Sequence, residues 1–189
     1  AYNGRNGLGN IITWAAGNGL SSDDDSNLDG YANSRFTISV TAVDHDGDQT
    51  NYGEPGANVL VSAPSDGSGV GITTTDNEGN SGYTNGDYTS NFGGTSSATP
   101  LVSGVIALML EANSNLTWRD VKHILASTSD QIDTSTSKIY LDVNQYSWIT
   151  NSAGFKHHNW YGFGKINGAN AVTASKNYIL NVKNNKNCS

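Results

Sequence analysis

The chain of 189 residues is poor in the features that would place it in several broad classes. It has one cysteine, Cys188, so no internal disulfide can staple it. No uninterrupted run of 18 apolar residues occurs, and such a run is what a bilayer-spanning helix needs. Basic residues are scarce: 10 Lys and Arg stand against 17 Asp and Glu, a formal net charge of −7. That balance disfavours nucleic acid and anionic membrane surfaces as partners and suits cationic ones. Apolar residues make up only 35%, with 22 glycines, which indicates one domain rich in turns and loops. The opening residues contain neither an initiator methionine nor an apolar secretion segment, so the expectation is a chain that begins in mid-fold.

What is present centres on Gly94-Thr95-Ser96-Ser97-Ala98-Thr99-Pro100, followed by the apolar run Leu101 to Leu110. The small residues form a turn, and the run predicts a helix apolar on every face and therefore fully buried. Pro100 is expected in the first turn, where its missing N–H is no loss. The hydroxyl of Ser96 is then held at the positive end of the helix. A serine hydroxyl is a weak nucleophile at neutral pH, so chemistry there calls for a histidine base, a carboxylate to orient it, and donors for an oxyanion. Upstream, Asn10 to Ala16 reads as a short buried strand that opens into Gly17-Asn18-Gly19. Standing alone, that is an Asn-Gly turn without chemistry. At a strand's C-terminal end it is also where an open α/β sheet presents groups to ligands.

The rest reads as an α/β layout. Phe36 to Val43 and Asn58 to Pro64 are strands, with further short strands at Gly71 to Thr75 and Gly86 to Thr89 forming a hairpin-like approach to Ser96. Thr117 with Asp120 three residues on is a capping-box start for a helix whose inner face is Val121, Ile124 and Leu125. A last helix spans Ala169 to Tyr178, and 179–189 is a polar tail. The cluster Asp44, Asp46 and Asp48 lacks the glycine and glutamate spacing of an EF-hand and reads as a turn between strands. Gly67 to Gly71 lacks the Gly-Lys-Ser of a phosphate loop and reads as a flexible turn.

The string G-T-S-x-A-x-P resembles the nucleophile motif of the subtilisin-like serine proteases. The resemblance implies that Ser96 attacks and that Asn18, in an A-A-G-N turn, supplies the side-chain amide for the oxyanion. Asp29-Gly30-Tyr31-Ala32-Asn33-Ser34 resembles the D-G-Y-x-N-S segment of the kexin- and furin-like branch, and L-x-W-R-D-V around Trp118 resembles the same branch. By that likeness Asp29 lies at the base of the primary specificity pocket, with Ala15 and Gly17 also binding substrate, and cleavage follows basic, paired residues. Asp24 and Glu54, the latter in Tyr52-Gly53-Glu54, resemble ligands of a structural calcium ion, although composition alone fits a solvated acidic loop. The implied fold is the three-layer subtilisin-like α/β fold with a mostly parallel sheet, and the implied location is secreted or extracytoplasmic.

In this family the acid and then the histidine precede the oxyanion asparagine. Only 17 residues precede Asn18, and they contain no histidine or aspartate. His45, His123, His157 and His158 all come later and read as surface or turn histidines. The expectation is therefore that residues 1–178 are the C-terminal half of a protease domain, inactive alone. Its expected partners are peptide substrates with basic residues, the N-terminal half, and a following C-terminal β-sandwich. Two other readings stay open: a noncatalytic secreted module binding calcium or carbohydrate, and a pseudoprotease scaffold.

Overall fold

The computed structural model describes residues 3–134 and 146–179. Most of the expected tail, with Cys188, and the short polar segments at 135–145 lie outside the described residues. Three strands form a parallel sheet: β1 (Ile12–Ala15), β2 (Thr37–Val43) and β3 (Val59–Pro64), with β2 in the centre. Ile12 sits opposite Thr37, and Ser39 opposite Val59, with a register shift between Ser39 and Val40. All seven residues of β2 are buried, as a central parallel strand requires. Its alternation survives as chemistry: Ile38, Val40 and Ala42 enter the main core, while Thr37, Ser39 and Thr41 alternate with them. β1 was expected to be buried but is not. Ile12 and Trp14 are 37% and 38% exposed, because β1 is an edge that pairs only with β2 among the described residues.

Helix α1 (Thr95–Ala112) lies on all three of these strands and carries the next correction. It is buried on one face only, through Ala98, Val102, Ile106 and Met109, spaced as one stripe. Leu101 and Leu108 are exposed, since nothing among the described residues covers the outer face. Length and composition alone would let α1 cross a bilayer, at a mean hydropathy of 1.2, but the Val102 stripe is seated on the sheet as in a core helix. Pro100 also departs from expectation. The helix begins at Thr95, so Pro100 is its sixth residue, and the N–H that would bond the Ser96 carbonyl is missing.

Helix α2 (Trp118–Thr128) has the expected capping box: Thr117 Oγ1 accepts from the Asp120 N–H, and Asp120 Oδ2 accepts from the Thr117 N–H. Lys122, half-buried, donates to the Thr37 carbonyl at 2.7 Å and ties α2 to the start of β2. Helix α3 (Gly168–Lys176) is capped by Asn167 and packs on α1 and α2. Two antiparallel hairpins complete the described chain, β4 (Ile72–Thr75) with β5 (Tyr88–Phe92), and β6 (Ile149–Thr150) with β7 (Lys156–His157).

A second, smaller core joins Leu20, Val43, Trp160 and Tyr161, with Ile132, Tyr146 and Trp148 against it. His158 belongs to this region. It is 7% exposed, not a surface histidine, with rings of Trp148 and Tyr161 within 5.2 Å and its Nδ1 accepting from the Trp160 N–H. The Asp44 cluster is a turn, as expected: Asp44 Oδ1 accepts from the N–H groups of Asp46 and Asp48.

Candidate active site

β5 ends at Phe92 and α1 begins at Thr95, so two glycines make the whole turn between them. Gly94 has φ +76°, and a Cβ there would stand 3.1 Å from Asn18 Nδ2. Both facts demand glycine. Ser96 follows as the second residue of α1 and is exposed. Its N–H lies in the first turn, where no carbonyl four residues back belongs to the helix.

The turn after β1 reaches this helix end directly. Asn18 Oδ1 accepts from both the backbone N–H and the hydroxyl of Thr95, at 2.9 Å each. A backbone N–H can only donate, so the amide oxygen of Asn18 must face Thr95. Its Nδ2 group is thereby turned away from the Thr95 N–H and lies beside Gly94. Gly17 donates to Thr95 Oγ1 at 3.4 Å, and Ala15 closes β1 just before it.

Asp29 is exposed, and its Oδ1 accepts from the N–H groups of Tyr31 and Ala32 at 2.7 Å each, which leaves Oδ2 for other partners. Tyr31 stacks on Trp14 with ring centroids 4.7 Å apart, so the Asp29 loop is laid against β1. Glu54 is buried between the two glycines of the Asn18 turn: it accepts from the Gly19 N–H at 2.8 Å, and a Cβ on Gly17 would strike its carboxylate. Asp24 packs on the same side of Gly19, where an added Cβ would meet both Asp24 and the Glu54 carboxylate. Burial, and then the negative charges of Asp24, Asp29 and Asp25, push the Glu54 pKa up. Asp24 and Glu54 are thus brought together, but no group of three or more His, Cys, Asp or Glu is placed to hold a metal among the described residues.

The histidines are engaged elsewhere. His45 meets Asp46, His123 meets Tyr178, His157 meets the Val59 carbonyl, and His158 is enclosed by aromatic rings. Two further groups touch the serine turn and had no sequence signal. Asp66 Oδ1 accepts from the Gly94 N–H at 2.7 Å, and Ser65 Oγ donates to the Gly94 carbonyl at 2.8 Å. They follow β3 as ordinary polar turn residues, and only the fold brings them to Gly94, 28 and 29 residues away.

Residues 1–164 match the model of the Subtilase family. The chain is 39% identical over 178 residues to neuroendocrine convertase 2 of Drosophila melanogaster, covering 93% of this chain and 25% of that protein. It is 39% identical over 176 residues to the dibasic-processing endoprotease of Schizosaccharomyces pombe, covering 93% and 23%. Among solved structures, a serine protease of Aeromonas sobria superposes with a TM-score of 0.82 at 26% identity, over 91% of this chain and 38% of that one. The chain spans about a quarter of the length of the curated relatives it matches.

Proposed function

The chain belongs to the subtilase family and has its α/β fold, and from that premise we propose that it is the nucleophile-bearing part of a serine endopeptidase that cuts after basic, paired residues. Ser96 attacks the scissile carbonyl. The Nδ2 group of Asn18 and the N–H of Ser96 hold the oxyanion, at the positive end of α1, where developing negative charge is favoured. Asp29 Oδ2 receives the basic side chain of the substrate, with Ala15 and Gly17 along the peptide. The base and its orienting acid come from the segment preceding this chain in the longer protein, and the chain alone is inactive.

The observation that carries this reading is the clamp of Asn18 on Thr95, which supports placing a free amide donor beside the exposed Ser96. Kinship with a protein named for dibasic processing supports the specificity, and kinship with convertases and a bacterial serine protease supports a secretory or extracellular setting. Calcium is part of the proposal. Asp24 and Glu54 offer hard oxygen donors and surplus negative charge, as that ion prefers, and its remaining ligands come from outside the described residues. A bound cation would offset the repulsion between the two carboxylates.

A fluorophosphonate probe tests the reading in the full-length protein. Labelling at Ser96, absent in Ser96→Ala and in this chain taken alone, is the expected result. A full-length protein that neither labels nor cleaves a peptide with paired basic residues would leave a scaffold and overturn the protease.

A further inference from the structure

Gly94 immediately precedes the first helical residue, Thr95, and its peptide groups are held at both ends. Its N–H donates to Asp66 Oδ1 at 2.7 Å. Its carbonyl accepts from Ser65 Oγ at 2.8 Å and from the Ser97 N–H at 3.1 Å. Asp66 is itself fixed, because the Tyr52 hydroxyl donates to the same Oδ1 at 2.6 Å. The carboxylate packs so closely on Gly93 that a Cβ there would lie 2.0 Å from Asp66 Cγ. We propose that Asp66 is a positioning residue for the nucleophile. By holding the Gly94 N–H it sets the start of α1, and so the direction of the Ser96 hydroxyl and the Ser96 N–H. This rests on the reading of Ser96 as nucleophile.

The chemistry suits the task. Gly94 has φ +76° and no side chain, so the turn has little stiffness of its own and needs an external partner. An anion there also faces the positive end of α1. Burial opposes the charge on Asp66, yet the bonds from the Tyr52 hydroxyl and the Gly94 N–H hold its pKa below the usual carboxylate value. A tyrosine hydroxyl keeps its proton at neutral pH, so Tyr52 donates to this carboxylate.

The test compares Asp66→Ala, Asp66→Asn and Tyr52→Phe in the full-length protein, with fluorophosphonate labelling and turnover of a peptide with arginine before the cleaved bond. Asp66→Ala removes the acceptor, and a sub-ångström misplacement of a nucleophile lowers kcat by about 10- to 100-fold, with KM nearly unchanged. Asp66→Asn keeps an acceptor oxygen and is expected to restore kcat to within a few-fold of wild type. Tyr52→Phe lowers kcat less than Asp66→Ala. A folded Asp66→Ala that labels and turns over like wild type overturns the proposal alone, while a wild type that does not label overturns the protease reading and this with it. If Asp66→Ala does not fold, the other two variants decide. A kcat loss confined to Tyr52→Phe supports the positioning role, and a shared loss, a loss in KM only, or no loss removes it.

Discussion

Thr95 gives both its backbone N–H and its hydroxyl to one atom, Oδ1 of Asn18, so the residue before Ser96 is bolted to the turn that follows the edge strand. The two segments are 77 positions apart in the chain, and each is glycine-rich and soft without the other. The bond pair does two things. It fixes the start of α1, and it spends the amide's oxygen so that only its N–H donors remain for a ligand.

Asn18→Ala therefore loses a donor and an anchor together. Turnover in the full-length protein is expected to fall by about a hundred- to a thousandfold, the scale known for removing one such donor in a subtilase. Loss of the acceptor for Thr95 costs about 1–2 kcal/mol of stability besides. Steady-state kinetics with a melting curve separate the effects: Asn18→Asp keeps the acceptor and the stability but not the donor. If Asn18→Asp retained wild-type turnover, the oxyanion role would be lost.

Asp29 offers a cleaner separation. Its Oδ1 is committed to the N–H groups of Tyr31 and Ala32, so removing the side chain would disturb the loop as well as the charge. Asp29→Asn keeps that acceptor and removes only the negative charge. Preference for arginine or lysine over an apolar residue before the cleaved bond should drop on the order of a hundredfold in kcat/KM, as expected for one desolvated charge pair. Unchanged selectivity, measured on matched peptides, would move the specificity pocket elsewhere.

The parts legible in the sequence were those encoded locally. The helix that follows Gly94, the β-branched runs of β2 and β3, and the Thr117–Asp120 capping box each depend on neighbours within a few positions. The misreadings share a different cause. Pro100 lies beyond the first turn because helix starts are set by capping geometry, and here α1 starts at Thr95 after a left-handed glycine. The apolar run of α1 reads as buried all round, yet burial depends on what stands opposite, and Leu101 and Leu108 are exposed. Asp66 and His158 carried no pattern at all, since their partners come from distant turns and from aromatic residues scattered over 146–161.

Glu54 makes stability depend on pH and, under the proposed calcium site, on that ion. Burial and the nearby acids raise its pKa above 4.5, so between that value and the folded one the unfolded chain loses a proton that the folded chain keeps. Stability from this group is therefore present at low pH and declines as pH rises. Calcium is expected to reverse the decline at neutral pH, by about 2.7 kcal/mol at a hundred times its dissociation constant. In Glu54→Gln, whose amide oxygen still accepts from Gly19, the protein without calcium should melt higher than wild type and respond less to the ion. A calcium response identical in Glu54→Gln, measured against chelator, would take Glu54 out of the site.

His158 works in the opposite direction. Burial among Tyr146, Trp148 and Tyr161 lowers its pKa below 6.5, with the nearby His157 charge acting the same way and Asp133 against it. As pH falls below 6.5 the unfolded chain takes up a proton that the folded chain refuses, so stability is lost on acidification. The loss is up to about 1.4 kcal/mol per pH unit while the folded histidine stays neutral. His158→Gln cannot titrate and keeps an acceptor for the Trp160 N–H, so its melting temperature should fall less steeply than wild type between pH 6.5 and 5. Parallel slopes in that window, read from thermal melts of the full-length protein and its variant, would mean that the proton is taken up elsewhere.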